Sequence, residues 1–110
     1  MAENTVTKRQ LCERIAEETG RTQVAAKEIV QHFLDGIIGE LSKGNRLEFR
    51  NFGVFETRLQ ESRKARNPRT NEEVQVPAKT IVSFKTGKKM GEKVQDALPA
   101  LRERAKDQGE

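Results

Sequence analysis

At 110 residues, with 34% hydrophobic and 35% charged side chains, the chain is sized for one domain around a modest core. Its single cysteine, Cys12, excludes an intrachain disulfide, and no apolar run approaches the ~20 residues of a membrane span, so a cytosolic chain with no membrane partner is expected. The net charge of +4 is uneven: residues 58–93 hold 10 Lys/Arg against 4 Asp/Glu, whereas residues 1–57 hold 8 against 9 and residues 94–110 hold 3 against 4.

In chain order, Thr7 followed by Gln10 is a capping-box signature. Leu11, Cys12, Ile15 and Ala16 then form one apolar stripe that Gly20 ends, which places Cys12 in a core. Thr22 is the next cap. Val30, Phe33, Leu34, Ile37, Ile38 and Leu41 follow at the spacing of an amphipathic helix closed by Gly44. Gly36 and Gly39 inside it predict a close helix–helix approach, because each costs about 1 kcal/mol relative to alanine.

The period then changes from helical to two. Leu47 and Phe49 alternate with Arg46, Glu48 and Arg50, Asn51-Phe52-Gly53 turns the chain, and Phe55, Thr57 and Leu59 continue the inner face. The apolar alternation fades after Leu59 and resumes at Val74, Val76, Ile81, Val82 and Phe84. Between them lies Arg63-Lys64-Ala65-Arg66-Asn67-Pro68-Arg69-Thr70-Asn71, a turn with cations, a proline and no carboxylate. A hairpin whose tip has lost its apolar face projects into solvent, and this one is built to meet an anion. Concentrated positive charge suits the phosphate backbone of a nucleic acid, where displaced counterions supply affinity. A last helix opens at Thr86-Gly87-Lys88-Lys89 and runs through Met90 to Val94. From Pro99 the chain is charged, as a helical extension or a frayed tail.

Three landmarks in this order, Asn51-Phe52-Gly53-Val54-Phe55, Arg66-Asn67-Pro68-Arg69-Thr70 and Phe84-Lys85-Thr86-Gly87-Lys88, resemble the HU/IHF family of bacterial histone-like DNA-bending proteins over about residues 7–94. The family usually has glycine where this chain has Asn51 and Asn71, but asparagine is the non-glycine residue that most readily accepts left-handed backbone angles. The resemblance implies an α+β fold. Two chains, identical or paralogous, intertwine into a helical dimer body, with a three-stranded antiparallel sheet extended into a long β-hairpin arm. Residues 1–98 would form that DNA-binding domain, the arm occupying about 58–78, with a charged extension over 99–110. Phe33, Ile37, Phe49, Phe52, Phe55 and Phe84 would form the dimer core.

The same resemblance implies that the arms enter the minor groove of double-stranded DNA in the bacterial nucleoid, bending and compacting it. Pro68, with a rigid apolar ring and no N–H, suits wedging between base pairs. Arg58, Arg63, Lys64, Arg66 and Arg69 would line the sugar–phosphate rails, and Asn67 would meet acceptors common to A·T and T·A pairs. Lys79 and Lys85 add charge on the returning strand, and Thr86, Gly87 and Lys88 offer a helix start to a phosphate. Lys8 is a further phosphate contact by resemblance alone. Arg50, oriented by Glu48, would approach the groove as in the IHF branch, although a surface ion pair explains the same two residues.

Low sequence specificity, as in HU, is the primary expectation and an IHF-like sequence preference the alternative. A protein-interaction module with an incidentally basic arm is the competing class. RNA is a secondary partner at most, because the chain has no Trp or Tyr for stacking and its phenylalanines follow core patterns. An enzyme is not expected. His32 shares a polar helix face with Glu28 and Asp35, no nucleophile constellation or metal-ligand cluster appears, and no cofactor is implied.

Overall fold

The computed structural model describes residues 4–108. Gly109 and Glu110, the end of the predicted extension, lie outside the described residues, as do residues 1–3. The elements run α1 (Lys8–Thr19), α2 (Gln23–Ser42), β1 (Leu47–Phe49), β2 (Gly53–Gln60), β3 (Arg63–Arg66), β4 (Glu73–Val76), β5 (Lys79–Thr86), α3 (Lys88–Lys93), a 3₁₀ turn (Val94–Ala97) and α4 (Leu98–Gln108). Two compact units divide the chain between Glu40 and Leu41, inside α2.

In the first unit the sequence signals act as anticipated. Thr7 accepts a hydrogen bond from the Gln10 amide at 3.2 Å and Gln10 Oε1 accepts from the Thr7 amide at 2.8 Å, a complete capping box. Gly20 ends α1 at φ 73°, and Thr22 caps α2 by accepting from the Ala25 amide at 3.0 Å. Cys12, Ala16 and Ala26 are the buried apolar residues. The close approach expected at Gly36 and Gly39 is not found among the described residues, where a Cβ at either position meets nothing within 4 Å.

In the second unit the three-stranded antiparallel sheet has the order β1-β2-β5. Its register pairs Leu47 with Phe55, Phe55 with Phe84 and Gly53 with Thr86. Directly opposed residues share a face, so one face collects phenyl rings. Phe55 and Phe84 lie 4.7 Å apart between centroids with their rings tilted by 46°, while Phe49 meets Phe52 and Phe55 edge-on at 6.3 and 6.1 Å. On that face Thr57 Oγ1 donates to the carbonyl of Leu41 at 3.0 Å.

The residues expected in the dimer core are only partly covered by their own chain. Phe33, Phe52 and Phe84 are 55%, 49% and 38% exposed, Ile37, Phe49 and Phe55 are half-buried, and no large side chain is fully buried among the described residues. These side chains have lost only part of their water, as expected of apolar surface that a second chain would cover.

The expected continuous hairpin is two ladders. β3 and β4 form a separate two-stranded ribbon, with the pairing broken at Glu61-Ser62 and Pro77-Ala78. Register is identical on both sides of the break, Gln60 opposing Lys79 and Arg63 opposing Val76. The break is therefore an interruption without slippage. Pro77 has no N–H to donate, which removes a ladder bond there. The last predicted helix is α3, which stops at Lys93, and after the 3₁₀ turn α4 forms the helical extension, with Pro99 tolerated in its first turn. No helix among the described residues is long and apolar enough to cross a membrane.

Candidate nucleic-acid interface

The tip of the ribbon is closed by its backbone, the Asn71 main-chain N–H donating to the Asn67 main-chain carbonyl at 2.7 Å and the Asn67 main-chain N–H to the Glu72 carbonyl at 2.9 Å. Asn67 Oδ1 accepts from the Arg69 amide at 2.8 Å, an Asx turn that spans Pro68. Asn71 supplies the left-handed corner at φ 62°, and its carbonyl accepts from Arg66 Nη1 at 2.9 Å. Pro68 is exposed and bracketed by these bonds, so its ring is presented on a loop with little freedom to collapse.

Strand register sorts the predicted cations. On the sheet, the face opposite the phenyl rings carries Arg58 opposite Ile81, Lys79 opposite Gln60 and Lys85 opposite Val54. These three predicted contacts share one face. Glu56 lies on it too, with Arg46 Nε 3.7 Å from its Oε2. On the ribbon, Lys64 and Arg66 share a face with Gln75 and Glu73, whereas Arg63 shares the other with Ala65, Val74 and Val76. The ribbon thus separates Arg63 from Lys64 and Arg66, which the resemblance groups as one lining.

Three other sites differ from expectation. At the start of α3 two amides are taken, the Gly87 N–H donating to the Phe52 carbonyl at 2.8 Å and the Met90 N–H to the Asn51 carbonyl at 3.2 Å. Thr86 closes β5, and Gly87 caps α3 without a side-chain bond. Glu48 lies in β1, but Arg50 lies in the turn beyond it, and no ion pair joins them among the described residues. Lys8 belongs to the helical unit, where its ammonium donates to Gln31 Oε1 while Gln31 Nε2 donates to Asp35 Oδ1 at 2.9 Å.

What sequence spacing does not single out is the pair Glu72 and Glu73 beside the basic tip, Glu73 directly opposite Arg66. Only the register makes that opposition visible.

Comparison with known proteins places these features in a lineage. A family model described as bacterial DNA-binding protein matches residues 6–95. The integration host factor subunit alpha of Xylella fastidiosa (strain 9a5c) is 38% identical over 89 residues, covering 81% of this chain and 90% of its own length. That of Marinobacter nauticus is 39% identical over 90 residues, covering 82% and 90%. Among solved structures, the Anabaena HU–DNA cocrystal structure superposes with a TM-score of 0.74 at 35% identity, over 81% of this chain and 97% of that one. A single-site mutant of HU from Thermotoga maritima superposes at 0.60 with 28% identity, over 81% and 99%.

Proposed function

The chain belongs to the HU/IHF family of bacterial DNA-binding proteins, and from that premise we propose that it is an architectural protein that bends double-stranded DNA in the nucleoid. It acts as one half of an intertwined dimer whose two arms enter the minor groove. The observation that carries this reading is the exposed Pro68, locked by the Asn67 and Asn71 hydrogen bonds and flanked by Arg66 and Arg69. The ring wedges at a base step, and the cost of unstacking, a few kcal/mol per step, is offset when the bent duplex meets more cationic surface.

The face carrying Arg58, Lys79 and Lys85 supplies that surface at the root of the arm, with Lys88 beyond it. Asn67, its Oδ1 committed to the turn, presents its amide hydrogens to the acceptors of the groove floor. Lys8 and Arg50 are secondary phosphate contacts in the same reading. The second copy covers the half-exposed phenylalanines.

The test is end-to-end fluorescence transfer on a doubly labelled duplex of about 30 base pairs, within the length for which a 40–90° bend has a moderate elastic cost. Transfer rises on binding; saturation without a rise refutes bending. A second reading, sequence-preferring binding, is favoured by the relatives' description as integration host factor subunit alpha. Selection of bound duplexes from a random pool separates the two, because an enriched motif is expected only of a sequence-preferring factor.

A further inference from the structure

The outer ribbon is electrically one-sided. β3 carries Arg63, Lys64 and Arg66, whereas the returning chain carries Glu72 and Glu73 and then Val74, Gln75 and Val76. The two carboxylates are exposed. They are also not neutralised: Arg66 stands directly opposite Glu73, yet its guanidinium donates to the Asn71 carbonyl, and no ion pair joins Arg66 with either carboxylate among the described residues. The tip hydrogen bonds therefore hold the nearest cation away from the acid facing it.

We infer that Glu72 and Glu73 are positioning residues of the arm, holding the returning strand off one sugar–phosphate rail while β3 engages the other. The inference rests on the minor-groove reading above. Paired strands lie about 4.8 Å apart, and the B-form minor groove is about 6 Å wide. A ribbon in that groove accordingly runs one strand along each wall. Cations on the β3 wall gain from phosphate; carboxylates on the other wall are repelled, more strongly where the groove is narrow and its potential more negative. The pair lowers affinity for every duplex and leaves the arm seated on one DNA strand.

Two double variants of the full chain test this by salt-dependent fluorescence anisotropy on one duplex: Glu72→Gln with Glu73→Gln, and Glu17→Gln with Glu18→Gln on the exposed surface of α1. Both change net charge equally. The arm variant is expected to bind about three- to tenfold more tightly at low salt, and the helix variant within about twofold of wild type. Adding Gln75→Lys should raise the salt slope by about 0.9 per engaged phosphate in the arm variant and by less in the wild-type background.

Equal gains from the two double variants, or none from the arm variant, would overturn the inference while leaving wild-type bending intact. Failure of the wild type to bind duplex at all would remove the arm reading and this inference together.

Discussion

Gly53 and Phe84 compete for one volume: a Cβ on Gly53 would fall 2.5 Å from Cζ of the Phe84 ring and 2.6 Å from the Lys85 carbonyl oxygen. The missing side chain is what lets the ring cross the start of β2 and reach Phe52 at 5.8 Å between centroids. Gly53→Ala must push the ring or the β5 backbone aside. Overpacking of that kind costs roughly 1–3 kcal/mol. Urea unfolding should show a lower midpoint with an unchanged m value.

Asn71 occupies the left-handed region at φ 62° while its carbonyl receives the Arg66 guanidinium. Asn71→Gly keeps the angle accessible and should leave the tip ordered. Asn71→Ala keeps the β-carbon but removes the short polar side chain whose local hydrogen bonding offsets the left-handed penalty of about 1–2 kcal/mol. Trypsin cleavage after Lys64 and Arg66 should therefore accelerate in the alanine variant and remain close to wild type in the glycine variant. Equal rates in the two variants would mean that the backbone angle does not govern tip order.

That contrast also marks how far the chain is legible as sequence. Caps at Thr7 and Thr22, the stop at Gly20 and the asparagine turns follow from local chemistry, which acts over a few residues and is written in them. The phenyl face follows from period two. The ladder break has a local signal as well, because Pro77 lacks a donor. Its alignment with Glu61-Ser62 is settled by pairing, which spacing within one strand does not reveal. The opposition of Glu73 to Arg66 and the occupied amides of Gly87 and Met90 are cross-strand or turn-to-helix relations. The separation of Arg63 from Lys64 and Arg66 is instead the alternation of β3 itself once its strand is placed. Half-exposure of Phe33, Phe52 and Phe84 follows from the resemblance to a dimeric family rather than from the apolar pattern, which records that a residue will be covered and not by which chain.

Arg58 and Lys85 lie on one face of the sheet, on the strands whose last pair before the break is Gln60 with Lys79. Glutamine at both positions should reduce the dependence of log affinity on log salt by about 0.9 for each phosphate no longer neutralised. The weakening should be uniform across duplex sequences, because groups that bind phosphate position the protein without reading bases. A sequence-dependent weakening in anisotropy titrations would instead assign one of the two side chains to the groove.

Pro68 provides the sharpest separation between holding DNA and deforming it. Its ring is the only wholly apolar side chain of the Asn67–Asn71 turn, and the bonds that close the turn are made by Asn67 and Asn71 rather than by proline, which has no N–H. Pro68→Ala should consequently keep the turn and its flanking arginines while removing the wedge. Binding energy then changes by opposing amounts: the unstacking cost of a few kcal/mol disappears, and so does the added attraction between a bent duplex and the cationic surface it wraps. The bend has no such compensation. End-to-end transfer should fall well below wild type at saturation, with affinity shifted by less than about tenfold, the equivalent of about 1.4 kcal/mol. Wild-type transfer from the alanine variant would show that the arms bend DNA by charge alone. A large drop in affinity, with the bend intact in the bound fraction, would make Pro68 an anchor rather than a wedge.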